Sequence, residues 1–204
     1  RNLTYDSYES MSQWELAEGQ IYVVDYGLDN EFNPIGLTSV RFERTATGIK
    51  IWQNAIGSDY ETFEEVNEAS FYYNIREKST LDLPKETEYD IAFGKYTDLV
   101  TIDNITQDYL IYGAIQGKAL AYYENEPFDS VKTEQFNAIR LMNNKDVLGW
   151  DWKNYNRPKD AYEIVDNRTY LIMSNVGFKY KLRFVNFYNT AGQSGHPTFE
   201  WELL

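Results

Sequence analysis

The sequence has 204 residues, 43% of them hydrophobic, and a formal charge of -13, which suits one domain with a substantial core. Thirty-two acidic side chains against nineteen basic ones repel phosphate backbones over the whole surface, which excludes nucleic acid as a partner. With no cysteine and a single histidine, thiol nucleophiles, iron–sulfur clusters and multi-histidine zinc centres are excluded as well. No apolar run is long enough to span a bilayer as a helix.

The aromatic content of 17%, with eighteen Tyr, eleven Phe and five Trp, predicts an all-β or β-dominated fold. An acidic opening with scattered aromatics (Tyr5, Tyr8, Trp14) leads to strand-like Gln20 to Tyr26. TSVRFERT and IKIWQ flank Ala46-Thr47-Gly48, a hairpin from Thr38 to about Gln53. Thr62 to Ala69 is the best early helix candidate, because Glu64, Glu65 and Glu68 favour a helix start and Phe63 and Val66 are three apart. Strands are expected over Phe71 to Ile75, Glu88 to Phe93, Asp98 to Ile102 and Asp108 to Ile115, punctuated by Gly, Pro, Asp and Asn. The uneven apolar spacing from Phe128 to Leu148 predicts short helical turns, and the polar, Pro-interrupted stretch from Gly149 to Tyr162 predicts an irregular loop. No repeat or linker divides the chain, so residues 1–204 are expected to form a single domain.

The carboxy-terminal segment reads most clearly. Thr169 to Met173, Phe178 to Tyr188 and Thr198 to Leu203 are expected to form a three-stranded antiparallel meander, with Gly177 supplying the positive φ of the first turn. Phe178, Tyr180, Leu182 and Phe184 alternate with Lys179, Lys181 and Arg183, so one face is core and the other is cationic. Glu200 and Glu202 can lie across from the cationic face, with Leu182, Phe184 and Phe199 buried.

Several segments carry a family resemblance: Tyr89-Asp-Ile-Ala-Phe93, Gly149-Trp-Asp-Trp-Lys153, Tyr162-Glu-Ile, Tyr170-Leu-Ile, the Gly177-to-Phe184 hairpin and Gly195-His-Pro-Thr-Phe-Glu-Trp201. Together they resemble the HmuY family, haem-capturing surface lipoproteins of Gram-negative bacteria, from about Tyr89 to the carboxy terminus. The resemblance implies antiparallel HmuY-like sheets, non-enzymatic capture of haem or a related tetrapyrrole, and a place in haem and iron acquisition. It also implies secretion or tethering at the outer membrane through a lipid-bearing Cys absent from this sequence, and an outer-membrane receptor as partner.

Family members ligate the iron with paired His or paired Met, from upstream of the Gly-Trp motif and from the loop after it. The matching loop position, five residues after Trp150 and seven before Tyr162, is Tyr155, where this chain departs from the family. Tyr155 could bind ferric haem as a phenolate, with Lys153 and Arg157 near it in sequence. The upstream partners implied are Tyr122, Tyr123 and Met142, and Met142 could equally fill core space. Trp150 and Trp152 share one side of an extended segment, Trp150 as a packing anchor and Trp152 as either anchor or ligand wall. Met173 reads as core, and His196 as a solvent-facing turn residue without a catalytic centre around it. Carboxylate-pair hydrolysis and calcium binding at Asp25, Asp29, Asn30 and Glu31 find no supporting spacing. A glycan- or peptide-binding surface protein remains the alternative that the abundant aromatics allow.

Overall fold

The computed structural model describes residues 17, 19–55, 62–67, 72–102 and 104–204, so Tyr5, Tyr8 and Trp14 lie outside the described residues. The fold is β-dominated with antiparallel sheets, and no helix of seven or more residues occurs among the described residues. It divides into two compact units. One is built from Pro84–Tyr96 and Ile111–Leu204, the other from residues 17–83 and Thr97–Leu110.

In the amino-terminal unit β1 (Ile21–Asp25), β2 (Leu37–Arg44), β3 (Ile49–Ala55) and β4 (Thr62–Val66) pair in chain order as an antiparallel meander. Val40 and Ile51 are buried on one face, and Gln53 joins them by donating its amide to the Ile75 carbonyl at 2.7 Å. Trp52 belongs to the opposite face, beneath the Arg41 guanidinium at 4.6 Å, with its indole donating to Glu43. Gly48 lies where a Cβ would fall 1.8 Å from the Val66 carbonyl oxygen, so the β2–β3 turn fits against β4 only without a side chain.

The expected helix at Thr62 to Ala69 is a strand instead, and residues 68–69 lie outside the described ones. The open edge of β3 offers backbone partners from Gln53↔Thr62 to Ile49↔Val66, and Glu65 faces Lys50 across the pair. That ladder, with Val66 buried, outweighs a short acidic helix start. β5 (Tyr72–Asn74) and β6 (Ser79–Leu81) form a small hairpin. β7 (Ile91–Ile102) and β8 (Ile105–Gln116) pair with each other as two long strands where three shorter ones were expected. The chain reverses beside Asn104, at φ 65°, a conformation Asn tolerates.

The carboxy-terminal unit holds β9 (Leu120–Glu124), β10 (Lys153–Asn156), β11 (Ala161–Ile164), β12 (Thr169–Met173), β13 (Lys179–Tyr188) and β14 (Ser194–Leu203). Its main sheet has the order β14-β13-β12-β9, all antiparallel, and contains the expected meander. Both faces of this sheet are covered, which is why the TYLIM run of β12 is apolar without alternation. On one face Tyr170, Ile172, Leu182 and Phe184 pack with Leu148 and Trp152, whose indole stacks on Phe184 at 4.0 Å. On the other, Tyr122 and Leu171 pack with Val131.

Three expectations need correction here. Lys181, assigned to a solvent-facing cationic side, is 1% exposed, because the segment after β9 closes over it. Its ammonium donates to the Phe128 and Val131 carbonyls, each at 3.1 Å, and pairs with Glu202. Phe199, expected to be buried, is 36% exposed: β14 is the sheet's edge strand, and the ring packs on Phe93 and Phe184 while more than a third of the residue stays open. The stretch from Gly149 to Tyr162, expected to be irregular, carries the β10–β11 hairpin. Pro158 falls inside a single 3-10 turn, Arg157–Lys159, which ends at Asp160 in the left-handed region at φ 51°. The proline therefore makes the turn instead of breaking a strand.

Candidate ligand-binding site

Between β9 and residue 142 the chain makes three single 3-10 turns, Phe128–Ser130, Thr133–Gln135 and Ala138–Arg140, as the uneven apolar spacing predicts. It then returns to the sheet edge. The Met142 N–H donates to the Ala121 carbonyl at 2.9 Å, the Ala121 N–H donates to the Met142 carbonyl at 3.0 Å, and the buried Gln116 amide donates to the same Met142 carbonyl at 3.1 Å. The backbone of Met142 is thus held on both sides, while its side chain stays 41% exposed. Core filling does not account for a thioether left that open.

Met142 lines a pocket of about 410 Å³ with Tyr122, Tyr123, Glu124, Asn125 and Arg140. Tyr122 and Tyr123 are neighbours on β9 and project to opposite faces of the sheet. Tyr122 is buried, and its hydroxyl donates to the Gln135 carbonyl at 3.1 Å and accepts from the Asn137 N–H at 2.7 Å. It closes the back of the pocket beneath Arg140 and offers neither an open ring face to a ligand nor a free hydroxyl to a metal. Tyr123 packs edge-on against Tyr170 with its centroid 6.0 Å away, and the Arg168 guanidinium covers its ring at 4.6 Å. Arg140 lies over the Tyr122 ring at 4.6 Å, is ion-paired with Glu124 and donates to the Tyr123 carbonyl at 3.3 Å. The pocket therefore offers aromatic carbon, one soft sulfur donor and one guanidinium whose charge is shared with a carboxylate.

Tyr155 and Trp152 do not join this group. Tyr155 is 49% exposed on β10, opposite Tyr162, and its hydroxyl donates to the Asp160 carboxylate. That hydrogen bond, aided by the carboxylate's charge, raises the phenol's pKa above its ordinary value, which disfavours a phenolate. Lys153 is no help to it. The ammonium donates to the Tyr112 and Trp150 carbonyls at 2.6 and 3.2 Å, over the Trp152 and Phe187 rings. Burial lowers its pKa to about 8. Trp152 is wholly inside the core, its indole donating to the Gly149 carbonyl at 3.1 Å, so it presents no face to a ligand. Met173 is partly buried at the end of β12.

His196 is exposed on β14 and makes no hydrogen bond to a described residue. It lines a second, larger cleft with Phe93, Tyr112 and Tyr188, a grouping that sequence reading missed because the three aromatics lie on separate strands. Among the described residues no group of three or more His, Cys, Asp and Glu could hold a metal ion, and no helix is long and apolar enough to cross a membrane. No protein-family model matches this sequence, and no curated protein matches it.

Proposed function

We propose that this chain is a non-enzymatic binder of haem or a related tetrapyrrole, haemophore-like, tethered at the cell surface and passing its cargo to an outer-membrane receptor. The location and the receptor rest on the resemblance of the segments after Tyr89 to the HmuY family. The binding reading is carried by Met142, a half-exposed thioether on a pinned backbone at a pocket with two tyrosines. A thioether is a known axial donor to haem iron, and a soft sulfur favours the ferrous state. Arg140 would meet a propionate of the porphyrin, in competition with Glu124. Tyr123 would line the ring's edge, with the buried Tyr122 behind it. Tyr155 contributes no ligand in this reading, since its proton is held by Asp160.

The test is an absorbance titration of the folded chain with ferric and ferrous haem. A sharpened, shifted Soret band in the ferrous form, lost in Met142→Ala and kept in Tyr155→Phe, is the expected result. A broad band unchanged by Met142→Ala would mean nonspecific adsorption and end the proposal.

A further inference from the structure

The larger cleft lies where the β13–β14 ladder loses its regularity. The register shifts between Phe184 and Asn186 and again between Asn186 and Tyr188, leaving Asn186↔Thr198 and Tyr188↔Ser194 as the last pairs. Bulges of this kind twist a strand and re-aim its side chains. Gly195, at φ 90°, completes the distortion on β14. The result is an opening of about 700 Å³, within the range of small-molecule sites.

Three rings form its apolar walls, each held from behind by the core. Phe93 packs edge-on against the buried Phe184 at 6.3 Å, while Tyr112 and Tyr188 both pack on the buried Phe187, at 5.9 and 5.8 Å. The polar groups around them are amides, hydroxyls and one imidazole. Asn186 uses its carbonyl oxygen to accept from the Phe187 and Tyr188 N–H groups at 2.8 and 3.2 Å, which orients the amide and leaves its amino group without a partner among the described residues. The Thr190 and Thr198 hydroxyls and the His196 imidazole are likewise uncommitted among the described residues. No Asp, Glu, Lys or Arg lines the cleft, although the chain carries a net charge of -13.

We infer that this cleft is a binding site for a neutral saccharide, a hexopyranose unit of an oligosaccharide. A pyranose has an apolar C–H face that stacks on aromatic rings, and an edge of hydroxyls that needs amide and hydroxyl partners in place of charges. An anionic ligand would find no lysine or arginine here. A tetrapyrrole would find an imidazole but no cation for its propionates, which separates this site from the Met142 pocket. The inference stands independently of the haem reading.

The test is isothermal titration of the intact chain with maltohexaose, cellohexaose, laminarihexaose, mannohexaose and chitohexaose, with oligogalacturonate as the charged control. Saturable binding of at least one neutral hexasaccharide, and none of oligogalacturonate, is expected. Tyr112→Ala should weaken it roughly tenfold through loss of one stacking wall. Asn186→Asp keeps the turn acceptor but adds a charge, and should weaken it by a similar factor, whereas Met142→Ala should change nothing. Should Tyr112→Ala not fold, Thr198→Val and Asn186→Asp carry the comparison. Absence of binding to all five neutral probes, equal binding of oligogalacturonate, or affinities unmoved by the cleft variants would overturn the assignment.

Discussion

Two lysines of the carboxy-terminal unit are buried to a similar degree, Lys181 on β13 and Lys153 on β10, yet their ammonium groups are held in different ways. Lys181 has two carbonyls, the Phe128 ring at 4.5 Å and the Glu202 carboxylate at 3.1 Å. Lys153 has two carbonyls and the Trp152, Phe187 and Tyr162 rings, with no carboxylate in ion-pair contact among the described residues. One is neutralised by a partner strand, the other by partial negative charge on oxygen and ring faces. Carbonyls and ring faces alone admit a buried ammonium but do not fully offset its desolvation, since burial lowers the Lys153 pKa to about 8.

The largest expected effect comes from removing the better-partnered group. Lys181→Met preserves most of the side-chain volume but leaves the Phe128 and Val131 carbonyls without a donor, and should cost about 2–3 kcal/mol in urea unfolding. A loss near zero would mean that water replaces the ammonium and that the carbonyls do not depend on it.

Next comes a pH effect specific to Lys153. Its folded pKa of about 8 lies below the unfolded value of 10.5, so between those limits the unfolded chain binds more protons and stability rises with pH. Between pH 8 and 9.5 the rise should reach about 1–2 kcal/mol, and Lys153→Met should flatten it. Above pH 10 the buried Tyr170 phenol, whose pKa is pushed up by burial, works in the opposite direction. Equal slopes in wild type and variant would show that carbonyls and rings hold the Lys153 charge fully.

The smallest effect is expected at Glu202→Gln, because that carboxylate is 61% exposed. Its removal should cost less than about 1 kcal/mol and show little salt dependence beyond that of an ordinary surface pair. A larger loss would make the countercharge, and not the carbonyls, the main support of Lys181.

The sequence made the meander legible because alternation and turn glycine agree over Thr169 to Leu203, and both cross-strand pairs Lys181↔Glu202 and Arg183↔Glu200 are present. What it concealed is what covers each strand. Lys181 reads as a surface residue in its own segment, and only the turns at Phe128–Ser130, some fifty residues earlier, bury it. β4 reads as helix for the same reason, since the edge of β3 that recruits it is not a local property. At the pocket, Met142, Tyr122 and Tyr123 were each visible as candidates, and the structure brings them together. Tyr155 was visible too, but not the Asp160 partner that holds its proton, because that contact depends on the turn geometry of Arg157–Lys159.

The division of β7 and β8 between the two units also sets an order of events during synthesis. The meander of the amino-terminal unit ends at Val66, but Thr97, whose hydroxyl accepts the Leu28 N–H at 3.0 Å, and Tyr109, which packs on Phe32 at 5.3 Å, reach it only later. At about 5–20 residues per second, a nascent chain spends seconds with that unit unfinished. During that interval the segment Pro84–Tyr96 has already emerged and awaits the strands β12 to β14, which are made last. A ribosome stalled between Tyr96 and Leu110 therefore holds two incomplete cores at once, and a gene split between Tyr96 and Thr97 yields no fragment that contains all of either unit.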